Sequence, residues 1–224
     1  MFSVYKKELQ SFFFTPFAYI ISALFMFLFT YIFNSAIANL DSSTYIFSFT
    51  EVFYDVIFFF IFLVPIMTMR TFADERKFGT EVLLMTSPVS VLQIVIGKFL
   101  ANITVFAFML LCSLVFPIVT AMRGEVVISQ LICAYIGFFL WGTMYITIGM
   151  LVSSFTENSI IAAIIGEIIM FGFLFVDNFS QTNFIAQFPK LQSALYAFAA
   201  QPRFSYFSQG FIRLSDIAFF ISAI

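Results

Sequence analysis

The sequence predicts an all-α, polytopic transmembrane helix bundle of a single compact unit, and three observations predict it. The first is composition: 62% of residues are hydrophobic, 10% are charged and the mean hydropathy is +1.06, whereas a soluble domain carries about 25% charged residues. The second is that apolar runs over 16–33, 52–69, 88–119, 126–152 and 159–176 approach or exceed the roughly 20 residues that cross the hydrocarbon core. A helix is the one conformation in which such a run satisfies its own backbone in lipid. The third is how charge is distributed: residues 67–98 hold seven of the 22 charged side chains, and the flanking runs hold almost none.

Taken in order, residues 2–14 form an amphipathic stripe. Phe2, Tyr5, Leu9, Phe12 and Phe13 share one face, opposite Lys7, Glu8, Gln10 and Ser11. The segment is too polar for a signal-peptide core and no small-residue cleavage site comes after it, so 1–15 is expected to be an interfacial elbow helix. Pro16 starts the first span, and 34–51 is a polar connection. The second span carries Asp55 near its outer end and Pro65 within it, which implies a kink. The third helix, begun at Pro88, would be about 48 Å long at 1.5 Å per residue. That exceeds a core of about 30 Å, so its first turns project and Lys98 lies near the boundary. After a tight turn at 122–125, the fourth span puts Gly142, Gly149 and Ser153 on one face, a small-residue stripe that admits close helix approach. A short turn at 153–158 leads to the fifth span. Residues 177–213 are the longest non-spanning stretch. There Phe184, Phe188, Leu191, Leu195 and Phe198 recur at heptad-like spacing and Pro189 favours a helix start. Short helices lying flat on, or dipping into, the outer membrane face are expected. The last apolar run, from Ile217, is too short to cross; it is read as a truncated sixth span, with the natural chain continuing past Ile224.

The organising stretch is the charged one. A helix leaving the second span is expected to run through Arg70 to about Phe78 and stop at Gly79, which takes the left-handed conformation that ends helices. Thr80 then N-caps a short helix over 81–85, and Ser87-Pro88 restarts the chain as cap and first turn of the third helix. The product is a charged hairpin over 70–98. Its charges orient it toward a partner, Val82, Leu83 and Leu84 offer apolar contact, and its shape suits transmitting a push from a soluble protein.

Met69-Arg70, Glu75-Arg76-Lys77, Gly79-Thr80, Leu83-Leu84, Thr86-Ser87-Pro88-Val89-Ser90 and Gly97-Lys98 form one long, specific string. A second lies at Ile148-Gly149 and Ser153-Ser154-Phe155-Thr156-Glu157-Asn158. Together these resemble the membrane permease subunits of ABC transporters of the second exporter type (ABC-2), in particular the gliding-motility-associated branch, over residues 1 to about 165. One departure is that many relatives carry the acid two residues after the threonine, at the position of Val82, while here it is Glu81. The resemblance implies a six-span permease domain over 1–224 in a bacterial cell membrane. It also implies that Glu75, Arg76, Gly79, Thr80, Glu81, Leu84, Ser87 and Pro88, with Glu157 in the second turn, couple it to a cytoplasmic ABC ATPase. A second permease subunit, the same chain or a relative, would complete a dimer. ATP and magnesium would belong to the ATPase, and this chain would have no catalytic residue or cofactor of its own.

Exclusions agree with that reading. There is no histidine, the commonest metal ligand and general base, and Cys112 and Cys133 fall inside apolar runs as structural thiols. No metal site is expected. No phosphate loop exists, since Gly97-Lys98 lacks the upstream glycine and the following hydroxyl. A net charge of −2 argues against a nucleic-acid partner; the bilayer is the surrounding medium. Positive residues set orientation: Lys6, Lys7, Arg70, Arg76, Lys77 and Lys98 fall on one side and Arg123, Lys190, Arg203 and Arg213 on the other, which puts the N-terminus and the hairpin in the cytoplasm. The 37 phenylalanines are read as lipid-facing and helix-packing bulk. Glu167, midway along the fifth span, is the one intramembrane acid that asks for an account. It either lines a substrate or proton path, or is a neutral acid hydrogen-bonded to a neighbouring span. Glu167 is the main support for a rival class, an ion- or proton-coupled secondary transporter. A membrane anchor or assembly factor without a transport path is another.

Overall fold

The computed structural model describes residues 2–38, 47, 49–86, 89–122, 126–180 and 199–224, without side chains at 83–85 and 177–180. Its elements are helices: α1 (Phe2–Phe14), α2 (Phe17–Ala38), α3 (Phe49–Thr68), α4 (Arg70–Lys77), α5 (Thr80–Met85), α6 (Val91–Ser113), α7 (Val115–Ala121), α8 (Ile128–Ser154), α9 (Ser159–Ser180), α10 (Gln201–Ser208) and α11 (Leu214–Ala223). Among the described residues five stretches are long and apolar enough to cross a membrane: Phe17–Ala38, Phe49–Lys77, Val91–Ala121, Ile128–Ser154 and Ser159–Val176. The described residues thus form an all-helical bundle with five candidate spans, as a polytopic architecture requires, and α11 is a ten-residue apolar helix after them.

Boundaries move where tertiary contacts or better caps win over local pattern. The polar connection expected over 34–51 is helical at both ends, because Phe33 stacks on Phe49 at 6.0 Å between ring centroids and the Thr50 hydroxyl donates to Ser208 O at 2.9 Å. The third helix begins at Val91, not at Pro88. Ser90 is its cap, accepting from Gln93 N–H at 3.4 Å. Ser90-x-x-Gln93 is a capping-box spacing that outcompetes the Ser-Pro pair; Ser87 and Pro88 themselves lie outside the described residues. Thr80 is the first residue of α5 rather than its cap, and its hydroxyl donates backward to Glu75 O at 3.2 Å, closing the end of α4. The long third helix also breaks at Leu114, between α6 and α7. Pro117 has no N–H for the carbonyl four residues back, at Ser113. The Ser113 hydroxyl donates to Leu110 O and shares a hydrogen bond with Tyr135 OH at 3.1 Å.

The core is built around α8, which packs against α3, α6, α9, α10 and α11. Without a hydrophobic force between helices in lipid, close approach and dispersion hold them together, and α8 provides the close approach. A Cβ at Gly142 would overlap the ring of Phe106 on α6, one at Gly149 would overlap Thr68 on α3, and one at Gly137 would overlap Phe207 on α10. The expected stripe is thus present but serves two neighbours, because α8 is wedged between α3 and α6. Aromatic rings fill the spaces that remain: Phe60 stacks on Phe106 at 4.9 Å, and Phe53 meets Tyr135 edge-on at 5.0 Å. In the described part of 177–213, α10 dips into the bundle and buries Phe204 and Phe207 completely. Arg203 pairs with Asp216 at 3.1 Å, tying α10 to α11. The heptad-like stretch 184–198 lies outside the described residues.

Two glycine substitutions test this packing. Gly142→Ala drives a methyl into the fully buried Phe106 ring and is expected to cost about 1–3 kcal/mol. Gly172→Ala, where nothing lies within 4 Å of the new Cβ, should be neutral or gain up to about 1 kcal/mol of helix propensity. Thermal unfolding in mild detergent separates the two; equal melting temperatures would remove the close-approach role of α8.

Candidate functional site

The charged stretch gathers at one end of the bundle, where α1, α4 and α6 meet. Lys98 lies on the second turn of α6 and is 1% exposed, enclosed by protein on all sides. Its ammonium reaches Thr71 O at 2.7 Å, Glu75 Oε1 at 2.8 Å and Glu8 Oε1 at 3.1 Å. A lysine has three N–H donors and no acceptor, so the three contacts use it fully. Lys7 approaches the same two carboxylates at 3.6 and 3.5 Å, which makes the cluster neutral overall. The ring of Phe72 lies 5.3 Å from Lys98 Nζ. A cavity of about 220 Å3, lined in part by Lys7, Arg70 and Asp74, opens onto the cluster. Helix α1 joins this assembly lengthwise on α6: Val4 packs on Gly97, Tyr5 OH hydrogen-bonds Thr104 Oγ1 at 3.1 Å, and Phe13 meets Phe108 edge-on at 5.7 Å.

Glu75 therefore turns inward, and the hairpin shows a different set of side chains to the outside. Gly79 has φ +68, and its N–H goes back to Arg76 O at 3.2 Å, the expected left-handed stop. Arg76 Nε meets Glu81 Oε2 at 3.2 Å across that turn, which locks α4 to α5. Phe78 is 72% exposed and Val82 66%. The side chain of Leu84 lies outside the described residues, as do Ser87 and Pro88. In the second turn Phe155 is 74% exposed and Glu157 is exposed, with no ion pair among the described residues. Asn158 opens α9 by accepting from Ile160 N–H at 3.0 Å.

The α3–α4 junction carries a further contact. In an uninterrupted helix Phe72 N–H would go to Thr68 C=O and Ala73 N–H to Met69 C=O. Here both amides reach Ser153 Oγ, each at 3.1 Å, while that hydroxyl donates to Met69 O at 2.9 Å. Pro65, one turn earlier, contributes no N–H of its own. The helix runs through Pro65, where a kink is expected, and its interruption lies one turn later, at Met69. Glu167 lies on α9, half-buried, and its Oε1 has no hydrogen-bond partner among the described residues. The hydrogen bond to a neighbouring span, one of the two accounts of this acid, is not observed there.

Sequence reasoning does not find the Lys98–Glu8–Glu75 cluster, the exposed Phe78 and Phe155, or the part taken by Ser153. A lysine inside the third helix is the available signal, because a cation enclosed by protein requires acidic partners. Among the described residues no three His, Cys, Asp or Glu side chains come together as a metal site.

Fold and site together define a polytopic helical membrane protein with a charged hairpin anchored by buried ions at one end. The sequence model of the ABC-2 family transporter proteins matches residues 2–216, and the chain belongs to that family. It is a membrane permease subunit of an ABC transporter. Among curated proteins none matches the chain.

The ion cluster makes a quantitative expectation. Lys98→Met leaves the Glu8 and Glu75 carboxylates facing each other with only the exposed Lys7 ammonium beside them. Breaking a buried pair by removing one partner costs about 3–5 kcal/mol, so a large fall in detergent melting temperature should result. Lys7→Met removes an ion 61% exposed and should cost under about 1 kcal/mol. Comparable effects from both would dismiss the inner cluster as an anchor.

Proposed function

We propose that the chain is the permease subunit of an ATP-driven exporter whose α4–α5 hairpin couples a separate cytoplasmic ABC ATPase to substrate movement. The observation that carries the reading is the two-sidedness of the hairpin. Its inner face is held in the bundle through Glu75 and Lys98, while Phe78 and Val82 stay exposed beside charges. An exposed apolar pair rimmed by charge suits a protein partner, with the apolar centre giving contact area and the rim giving orientation. Glu157 and Phe155 of the second turn extend that face. Gly79 and the Arg76–Glu81 pair make the hairpin stiff enough to pass on a push. The motif strings support the gliding-motility-associated branch. By the same reading ATP and magnesium bind the ATPase, a second permease copy or relative completes the complex, and the chain sits in the bacterial plasma membrane with its N-terminus inside.

Orientation is checked by labelling. In a background without Cys112 and Cys133, single cysteines at Lys77 and Glu157 should resist an impermeant thiol reagent in intact cells, and one at Leu214 should react. Labelling at 77 from outside overturns the orientation and the coupling role with it.

Coupling is checked on the complex purified from membranes in mild detergent with its co-purifying ATPase. Val82→Asp places a charge at the apolar centre of the face. Gly79→Val meets open space but forces a β-branched residue to φ +68, at a cost of about 1–2 kcal/mol. Both variants should insert normally and lose roughly tenfold in ATPase retention or ATPase activity, the equivalent of about 1.4 kcal/mol. Wild-type behaviour of both reduces the hairpin to an ordinary solvated loop.

A further inference from the structure

We infer that Ser153 is the positioning residue of the hairpin: its hydroxyl, inserted in the helix ladder between Met69 and Ala73, holds open a joint between the second span and α4. The inference rests on the coupling role proposed above and adds how the hairpin's angle is set. Three observations support it. The hydroxyl is fully buried and uses its whole capacity, donating to Met69 O and accepting from Phe72 N–H and Ala73 N–H. A hydroxyl has one proton and two lone pairs, so no bond is left over for its own helix. Its neighbour Ser154, by contrast, spends its hydroxyl locally, on Leu151 O at 2.6 Å.

The second observation is that the joint lies between two stiff bodies. Met69 keeps helical angles, φ −54 and ψ −33, yet the helix is interrupted there, with α3 ending at Thr68 and α4 starting at Arg70. A side chain inserted into the i→i−4 ladder is a recognised cause of a helix bend. The third is that Ser153 belongs to α8, immediately before the second turn. The contact therefore links the two exposed turns of the hairpin end through one atom. Gly149, one turn earlier on α8, lets Thr68 approach closely enough for the hydroxyl to reach.

Ser153→Ala removes the wedge and leaves three backbone groups: Ala73 N–H and Met69 C=O, which stand in register to bond each other, and Phe72 N–H, which stands in register for Thr68 C=O. The ladder closes and α4 swings toward the line of α3. A bend of about 20° over an eight-residue arm roughly 12 Å long moves the tip by about 4 Å.

The experiment places spin labels at exposed Lys77 and Ile164 in the cysteine-free background and measures their separation by double electron–electron resonance in the complete permease. Ser153→Ala should shift the distance by about 4 Å and Ser154→Ala should leave it in place. In the ATPase-containing complex Ser153→Ala should also lower nucleotide hydrolysis several-fold without loss of subunit retention. A distance unchanged within about 1 Å, against the 4 Å expected from the helix geometry, overturns the joint even if the hairpin variants above behave as expected. A distance shift with unchanged hydrolysis keeps the joint but overturns its positioning role. Failure of the Val82 and Gly79 variants to affect the ATPase instead overturns the coupling reading and leaves the distance result standing. Ser153→Gly carries the same measurement. Both variants must accumulate, because the groups left behind can satisfy each other; if neither does, Ser153 is a determinant of the fold, and the inference fails.

Discussion

One buried ammonium fixes the geometry of the hairpin end. Taking an ion out of water costs several kcal/mol even after relaxation, so Lys98 is tolerable only while its acceptors are all in place. Those acceptors come from α1 and α4, whereas Lys98 itself is on α6. None of the three helices can move away alone without stranding a charge. Helix α1 is held in this way although only Val4 of its residues is buried, and α4 is held although its exposed side is strongly polar.

Small residues on α8 do the complementary work inside the bundle. Glycines at 137, 142 and 149 sit against Phe207, Phe106 and Thr68, on three different helices. Each approach is tight enough that a methyl group would not fit, and each partner is therefore located along α8 to within a residue. Ser153 continues the series at the hairpin end, where close approach is joined to hydrogen bonding. The position of α4 is consequently set from two directions, by ions from α6 and α1 and by a hydroxyl from α8.

Much of this is legible in the sequence because lipid simplifies the problem. Five spans are visible as runs of apolar residues, and the stop at Gly79 is visible because a charged helix followed by glycine has one economical ending. The features that escape do so for identifiable reasons. Glu8 and Lys98 are 90 positions apart, and no periodicity links them; only the packing of α1 along α6 does. The start of the third helix is ambiguous because two serine caps lie three residues apart, and Ser90 has Gln93 at the favourable spacing while Ser87 has only the proline. Thr80 has the residue type of an N-cap for α5, yet its hydroxyl closes the end of α4 instead. Ser153 is recognisable as small but not as a ligand of another helix, since its partners are backbone groups freed at a junction whose interruption no propensity scale records.

The two attachments of α4 differ in character, and that difference bears on how a push would travel. The ion cluster adds to its short hydrogen bonds a charge attraction that acts over several ångströms and includes the exposed side chain of Lys7, so it keeps pulling on α4 through a small displacement, as a tie. The Ser153 contact is short-ranged and directional, because hydrogen bonds weaken steeply with angle, and so behaves as a pivot. A lever with a directional pivot at its root and a tie along its arm rotates about the pivot instead of sliding. Rotation of α4 about Met69 would move Glu75 against Lys98, and through Lys98 and Glu8 it would load α6 and α1 together. In the proposed coupling, force applied at Phe78 and Val82 would therefore enter the membrane along α6, α1 and α8 as well as along α3, the helix that α4 directly continues.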